Sequence, residues 1–257
     1  MSASDAARTG MLFQQRNVET ISNNIVNANT VGFKRATVRF GDVFTRVRDL
    51  FDAASGAPGN LADSEGILIT GIDRVMLQGG LEPTAGPTDL AIVGEGFFEV
   101  ALPDGTSAYT RDGSFQVDAD GRLVTSHGLP LQPEVIAPAG TTELAIGQDG
   151  TLTAIVGGQQ QVLGQMELTV FTNPAGLLAY GENLFLPSEN SGEARPGVVG
   201  TEGRGFVTAG ALEASNVELS EEMTALIVAQ RSYQMSLSAY QTANDMDRQA
   251  RELAGRS

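Results

Sequence analysis

The chain of 257 residues carries 31 acidic against 16 basic side chains, a formal charge of −15, with 41% hydrophobic residues, no cysteine and no tryptophan. A polyanion meets an unfavourable field, which argues against a nucleic-acid partner, and without cysteine neither a disulfide nor a thiolate metal site can form. No run approaches the ~20 apolar residues of a membrane-spanning helix, and the start lacks the basic flank and apolar core of a secretory signal, so neither membrane insertion nor a cleaved leader is expected.

From the N-terminus, residues 5–29 contain no proline, and Ala7, Met11, Val18, Ile21, Ile25 and Ala28 recur at steps of three, four or seven, which predicts one helical face interrupted by Gln14. The helix ends in a polar run, Ser22-Asn23-Asn24-Ile25-Val26-Asn27-Ala28-Asn29-Thr30-Val31-Gly32-Phe33-Lys34-Arg35. Asparagine satisfies orphan helix carbonyls and tolerates left-handed geometry, and Gly32 permits a sharp turn. Ser22 and Thr30 are its only hydroxyls and it has no acid, so a hydrogen-bonded elbow is a better reading than a catalytic loop. Residues 52–66, with Gly56, Pro58, Gly59 and Gly66, read as a flexible excursion.

The middle of the chain changes texture. Asp104-Gly105, Asp112-Gly113, Asp120-Gly121 and Asp149-Gly150 offer the positive backbone angles of tight turns. They predict an antiparallel meander through Phe97–Leu102, Ala108–Thr110, Ser114–Val117 and Arg122–Thr125, extended by Leu144–Gly147, Leu152–Val156 and Met166–Phe171. Ser188–Gly205 reads as a second connector. Chemistry has little to work with here. His127 is the sole histidine and sits beside Gly128 in a turn-like stretch; Gly94-Glu95-Gly96 lacks the third glycine of a phosphate loop; Asp118-Ala-Asp120-Gly121 lacks the later acceptor of a calcium loop. No cofactor or metal is expected.

Residues 216–253 predict a second, longer helix with Leu219, Met223, Leu226, Tyr233, Leu237 and Tyr240 on heptad positions and Gln230 interrupting. Asn216 or Ser220 can cap it, and Glu221 with Glu222 suits the positive end of its dipole. Two seams at opposite ends of one chain are expected to serve each other or neighbouring copies. The charge follows the same division: seven basic residues stand against four acidic over 1–50, five against 21 over 51–215, and four against six over 216–257.

Three stretches together resemble the flagellar axial proteins of the rod, hook and hook–filament junction: the Asn-rich run closing in Gly32-Phe33-Lys34-Arg35; Asp89-Leu-Ala-Ile-Val-Gly-Glu-Gly-Phe-Phe98 with Tyr109-Thr-Arg-Asp-Gly-Ser-Phe115; and Leu212-Glu-Ala-Ser-Asn-Val217 with Glu221-Glu222-Met223 and Gln230-Arg231-Ser232-Tyr233. Length, the run Leu102–Tyr109 followed by Leu131-Gln-Pro133, and the excursion after Phe40 look most like the distal-rod members. Ile25-Val26 departs from the family's usual Leu-Ala, and the opening Met1-Ser-Ala-Ser-Asp5 lacks its early apolar residue.

The resemblance implies an α+β chain in which long N- and C-terminal helices pair as a coiled-coil-like layer around a central antiparallel β-rich domain. The divisions expected are 1–32, 33–84, 85–205 and 206–257: helix, connector, outer domain, connector with helix. Asn23, Asn24, Asn27, Gly32 and Phe33 carry over as elbow residues, and Val217, Met223, Gln230, Arg231 and Tyr233 as inner-helix residues. Met11, Val18, Ile21, Ile25, Leu219, Leu226, Leu237 and Tyr240 join the expected assembly surface from the periodicity. The function implied is a non-enzymatic subunit of the basal-body rod, exported uncleaved by the flagellar export apparatus and polymerising with itself, with proximal rod and hook subunits at its ends and basal-body rings around it as it crosses the periplasm. A proximal rod or hook-like subunit, a wall-cleaving hydrolase and a secreted β-rich binding module are the competing readings.

Overall fold

The computed structural model describes residues 3–42 and 67–254, so the excursion read at 52–66 lies outside the described residues. The chain opens with α1 (Ala3–Val26) and then forms β1 (Ala36–Asp42), β2 (Ile67–Arg74), β3 (Leu81–Pro83), β4 (Leu90–Val93), β5 (Phe98–Ala101), β6 (Ser107–Thr110), β7 (Gln116–Val117), β8 (Leu123–Val124) and β9 (Leu131–Gln132). It continues through β10 (Thr141–Ile146), β11 (Thr151–Val156), β12 (Gln159–Gln165), β13 (Glu167–Val170), β14 (Leu178–Gly181), β15 (Leu184–Leu186), β16 (Arg195–Val198), β17 (Phe206–Ala209) and β18 (Ala211–Glu213), and closes with α2 (Leu219–Ala254).

Two units result. Residues 26–35 and 74–217 make a β unit, and the described parts of 1–25, 36–73 and 218–257 make a helical unit with the β1–β2 ribbon. In the β unit a sheet of order β14-β15-β6-β5-β9 and another of order β10-β11-β12 are joined by two-stranded pieces, β13-β16, β17-β4, β18-β3 and β7-β8. All pairings are antiparallel. The expected meander is therefore broken up: β5–β6 and β7–β8 are hairpins as read, but β5 also takes β9, and β6 takes β15 from the far end of the chain. The connector read at Ser188–Gly205 contains β16.

Turn chemistry explains the hairpins. Gly105, Gly121 and Gly150 adopt positive φ, and the aspartates preceding Gly105 and Gly150 accept hydrogen bonds from the backbone N–H and the hydroxyl of Thr106 and Thr151. Gly113 is the exception: it is needed for closeness, since a Cβ there would lie 1.6 Å from the Leu90 carbonyl oxygen. Alternation then sorts the strands. Phe98 and Val100 of β5 enter a core with Leu90, Ile92, Phe115, Leu152, Met166, Leu168 and Val207. Phe97 starts a second cluster of Tyr109, Phe171, Leu177 and Phe185, where Tyr109 meets Phe171 edge-on at 4.8 Å.

In the helical unit, α1 and α2 run antiparallel: Asn24 Nδ2 donates to Glu222 Oε2 (3.1 Å) near one end, and a Cβ on Gly10 would lie 3.7 Å from Ser236 Oγ near the other. The expected coiled-coil pairing of long terminal helices is not what forms. The chain is α+β, but among the described residues two α-helices, of 24 and 36 residues, accompany 18 strands, and the seam positions Leu219, Met223 and Tyr233 are 44%, 50% and 36% exposed. Among the described residues the buried positions of α2 are Glu222 and Ala229, displaced by one residue, or about 100° of helix rotation, from Met223 and Gln230. The reason is local. A buried carboxylate–amide pair and small residues such as Gly10, Ala229 and Ser236 lie at the contact, and clefts of about 660 and 310 Å³ remain between the helices in place of close side-chain interlocking.

Burial, and after it the Glu99 charge, pushes the Tyr109 hydroxyl up to about 12. Folding thus favours the protonated phenol, and the stability it confers is complete below the unfolded value of about 10 and lost as pH rises through about 12. In an alkaline phenolate titration followed by absorbance, Tyr109→Phe should remove the step near pH 12; loss of a step near 10 instead would contradict the assigned environment.

Candidate assembly site

The three signature stretches meet in the β unit around one carboxylate. Glu213, 0% exposed at the end of β18, accepts from Lys34 Nζ (2.5 Å) and Gly79 N (2.9 Å) on Oε1 and from Arg111 Nη1 (3.2 Å) on Oε2. Lys34, 1% exposed, also donates to the Leu77 carbonyl at 2.7 Å, while Arg111 Nη2 donates to the Gly94 carbonyl at 2.9 Å and its guanidinium lies 5.2 Å from the Phe97 ring centroid. Burial lowers the pKa of both Lys34 and Arg111, and Glu213 opposes the shift in each case. Each partner of the Glu213 carboxylate among the described residues is a hydrogen-bond donor, so the carboxylate ties three separate segments together.

Around this tie the backbone is stitched twice more. Gly32 N donates to the Glu213 carbonyl at 2.8 Å, and Asn216 accepts from Arg35 N (2.7 Å) while donating to the carbonyls of Val75 (2.7 Å) and Leu77 (3.0 Å). Gly32 holds φ +67°, and a Cβ there would lie 2.6 Å from Asp112 N, so both conformation and space require glycine. Phe33 is buried beneath the Arg74 guanidinium, 5.1 Å from its ring centroid, and Arg74 donates to the Lys34 carbonyl. Asn27 closes the elbow, its carbonyl and Oδ1 accepting from Thr30 N and Thr30 Oγ1.

In the helical unit Asn24 is buried and grips both sides of one residue: its Nδ2 donates to the Ala36 carbonyl at 2.9 Å and its Oδ1 accepts from Ala36 N at 2.8 Å. Asn23 is exposed. Of the expected helix surface, Ile21 is buried; Met11, Val18, Ile25, Leu226, Leu237 and Tyr240 are half-buried; Gln230 and Arg231 are exposed. Val217, half-buried, belongs to the β unit. His127 is exposed, 3.7 Å from Glu182. Among the described residues no three of His, Cys, Asp or Glu stand where they could hold a metal ion.

The sequence reading missed Lys34, Arg111, Glu213 and Glu222 as anchors. All four lay inside the quoted signatures, where only Glu222 was given a role, at the positive end of the helix dipole. Removing one member of a buried ion cluster leaves the others uncompensated, so Glu213→Ala should cost about 3–5 kcal/mol of unfolding free energy in urea. Gly32→Val should cost at least about 1–3 kcal/mol from backbone strain alone, and a stability equal to the parent would count against the elbow geometry.

Comparison with known proteins agrees with the three stretches. The family of the flagellar basal-body rod protein matches residues 5–34, that of the flagellar hook protein FlgE/F/G D1 domain residues 91–154, and that of the flagellar basal-body rod FlgEFG protein C-terminal region residues 208–253. The flagellar basal-body rod protein FlgG of Borreliella burgdorferi is 40% identical over 253 residues, covering 93% of this chain and 94% of its own. FlgG of Caulobacter vibrioides is 39% identical over 253 residues (96% and 97% covered), and FlgF of the same organism is 31% identical over 253 residues (94% and 93%). With the signatures locked together around Glu213 and relatives this similar over nearly their full length, the chain belongs to the FlgE/F/G family and is a structural subunit of the flagellar basal-body rod, most like the distal rod protein.

Proposed function

We propose that copies of this chain build the rod by packing the outer faces of their helices against one another, and that the protein has no catalytic role. The observation that carries this reading is the exposure of large apolar side chains on α2: Leu219, Met223 and Ile227 on one flank, Val228, Met235 and Met246 on another, with Ser220, Arg231 and Ser238 between. Exposed apolar side chains in such numbers mark a contact surface. A subunit with two such flanks meets a neighbour on each side, and heterologous contacts of this kind extend without closing. Met11, Val18, Ile21 and Ile25 of α1 and Leu226, Gln230, Arg231, Tyr233, Leu237 and Tyr240 of α2 belong to the same assembly region, with Val217 at its approach. Asn23, Asn24, Asn27, Gly32 and Phe33 fix the elbow.

In this reading residues 1–32 and 206–257 are the assembly segments, 33–84 the connector and 85–205 the outward domain, whose acidic surface keeps the free subunit soluble. The chain leaves the cytoplasm uncleaved through the flagellar export apparatus, crosses the periplasm within the rod, and contacts proximal rod and hook subunits along the axis and basal-body rings around it.

Burying a side chain of this size contributes about 1.5–3 kcal/mol, so Met223→Asp should abolish rod assembly and motility in a strain lacking its own copy while circular dichroism of the purified subunit stays unchanged. Ser238→Asp, between the flanks, should be tolerated. Normal assembly of Met223→Asp would remove α2 from the interface.

A further inference from the structure

A free strand edge offers unpaired backbone N–H and C=O groups to any other strand, and charge, proline, a bulge or mere shortness ordinarily blocks the approach. Several strands of the β unit carry such guards. β3 has Glu82 and Pro83, β16 has Arg195 and Pro196, β10 has Glu143, and β14 is short, with Tyr180 bulged out of its ladder.

β12 is different. It is the outer strand of the sheet β10-β11-β12 and is seven residues long, and residues 150–166 around it contain no Asp, Glu, Lys, Arg or Pro, although the chain as a whole carries a charge of −15. The Gly157-Gly158 turn, with both residues at positive φ, returns the chain along β11. Gln159, Gln160, Gln161 and Val162 then pair in regular register with Val156, Ile155, Ala154 and Thr153, and all four are exposed, Val162 to 65%. Leu163 interrupts the ladder beyond them. Within the regular stretch alternate residues direct their N–H and C=O away from β11.

The same stretch indicates what would pair with it. A glutamine amide both donates and accepts, so a row of glutamines is complementary to an identical row. Two copies of an acidic chain also repel least where they meet through an uncharged segment. We propose that Gln159–Val162 is a pairing edge for β12 of a second copy, the strands running antiparallel about a twofold axis with Gln160 opposite the partner's Gln161 and Gln159 opposite the partner's Val162. The two three-stranded sheets then become one. Such a contact closes on two copies, unlike the helix-borne contacts proposed above, which extend. It is short, so the pair is weak and reversible.

Sedimentation equilibrium of the purified full chain tests this. Expected is a dimer at high concentration that Gln160→Lys combined with Gln161→Lys abolishes, with circular dichroism unchanged, because like charges then stand directly opposite one another. The two lysines lower the net negative charge, so general repulsion cannot explain the loss. Gln160→Lys combined with Gln161→Glu sets opposite charges across each pair and should keep the dimer, as should Met223→Asp on α2. A chain monomeric at every concentration, a dimer that survives the two lysines, or one lost in the charge-paired variant or in Met223→Asp would overturn the proposal. Rod assembly enters none of these readouts, so the result is independent of the function proposed above.

Discussion

Lys34 and Glu213 are 179 positions apart, and their pairing is the constraint from which the β unit takes its form. A lysine at 1% exposure is untenable unless its charge is met, and Glu213 meets it while also holding Arg111 and the Gly79 amide. Such a cluster adds little net stability over an apolar core of the same shape. What it does add is exclusivity: no other register of residues 32–35 against 211–216 brings a carboxylate to the lysine, and Asn216 repeats the same demand on neighbouring backbone. Hydrophobic burial around Phe98 and Leu168 supplies the driving force, and the ions select the arrangement.

The helical unit is organised by a milder version of the same device. Asn24 spends its amide on Ala36 and Glu222, which places a polar pair where the apolar stripes would otherwise meet. Ala229 of α2 is then buried, while Leu219, Met223, Ile227 and Met235 are exposed. A helix arranged so leaves these apolar side chains exposed, so the buried polar contact and the exposed apolar flanks have one cause.

How much of this could be read beforehand depended on the range of the interaction. The Asp-Gly turns and the elbow glycine were legible because their requirement, a positive φ or a side-chain bond two residues on, is satisfied within a few residues. The helices were legible as helices from periodicity. Which side of α2 faces α1 was not, because the heptad stripe left open whether its apolar side chains meet α1 or neighbouring copies, and the buried positions of α2 among the described residues are Glu222 and Ala229. The two-residue strand β9 has too little alternation to announce itself, and the pairing of β6 with β15 is settled by packing far along the chain. The ion cluster was invisible for the simplest reason: nothing in Lys34 or Glu213 alone distinguishes them from the solvated charges that most lysines and glutamates are.

Because Lys34 waits for Glu213, the β unit has an order of completion built into its topology. Contacts between strands close in sequence, such as those of β5 with β6 or β10 with β11, require only short loops. The tie at Glu213 requires nearly the whole unit to be present, and until then the lysine and Arg111 are better left in water than buried. Until the β18 segment is in place, Lys34 and Arg111 therefore lack their carboxylate partner. The same residues that specify the folded state thus draw on segments from both ends and the middle of the β unit at once.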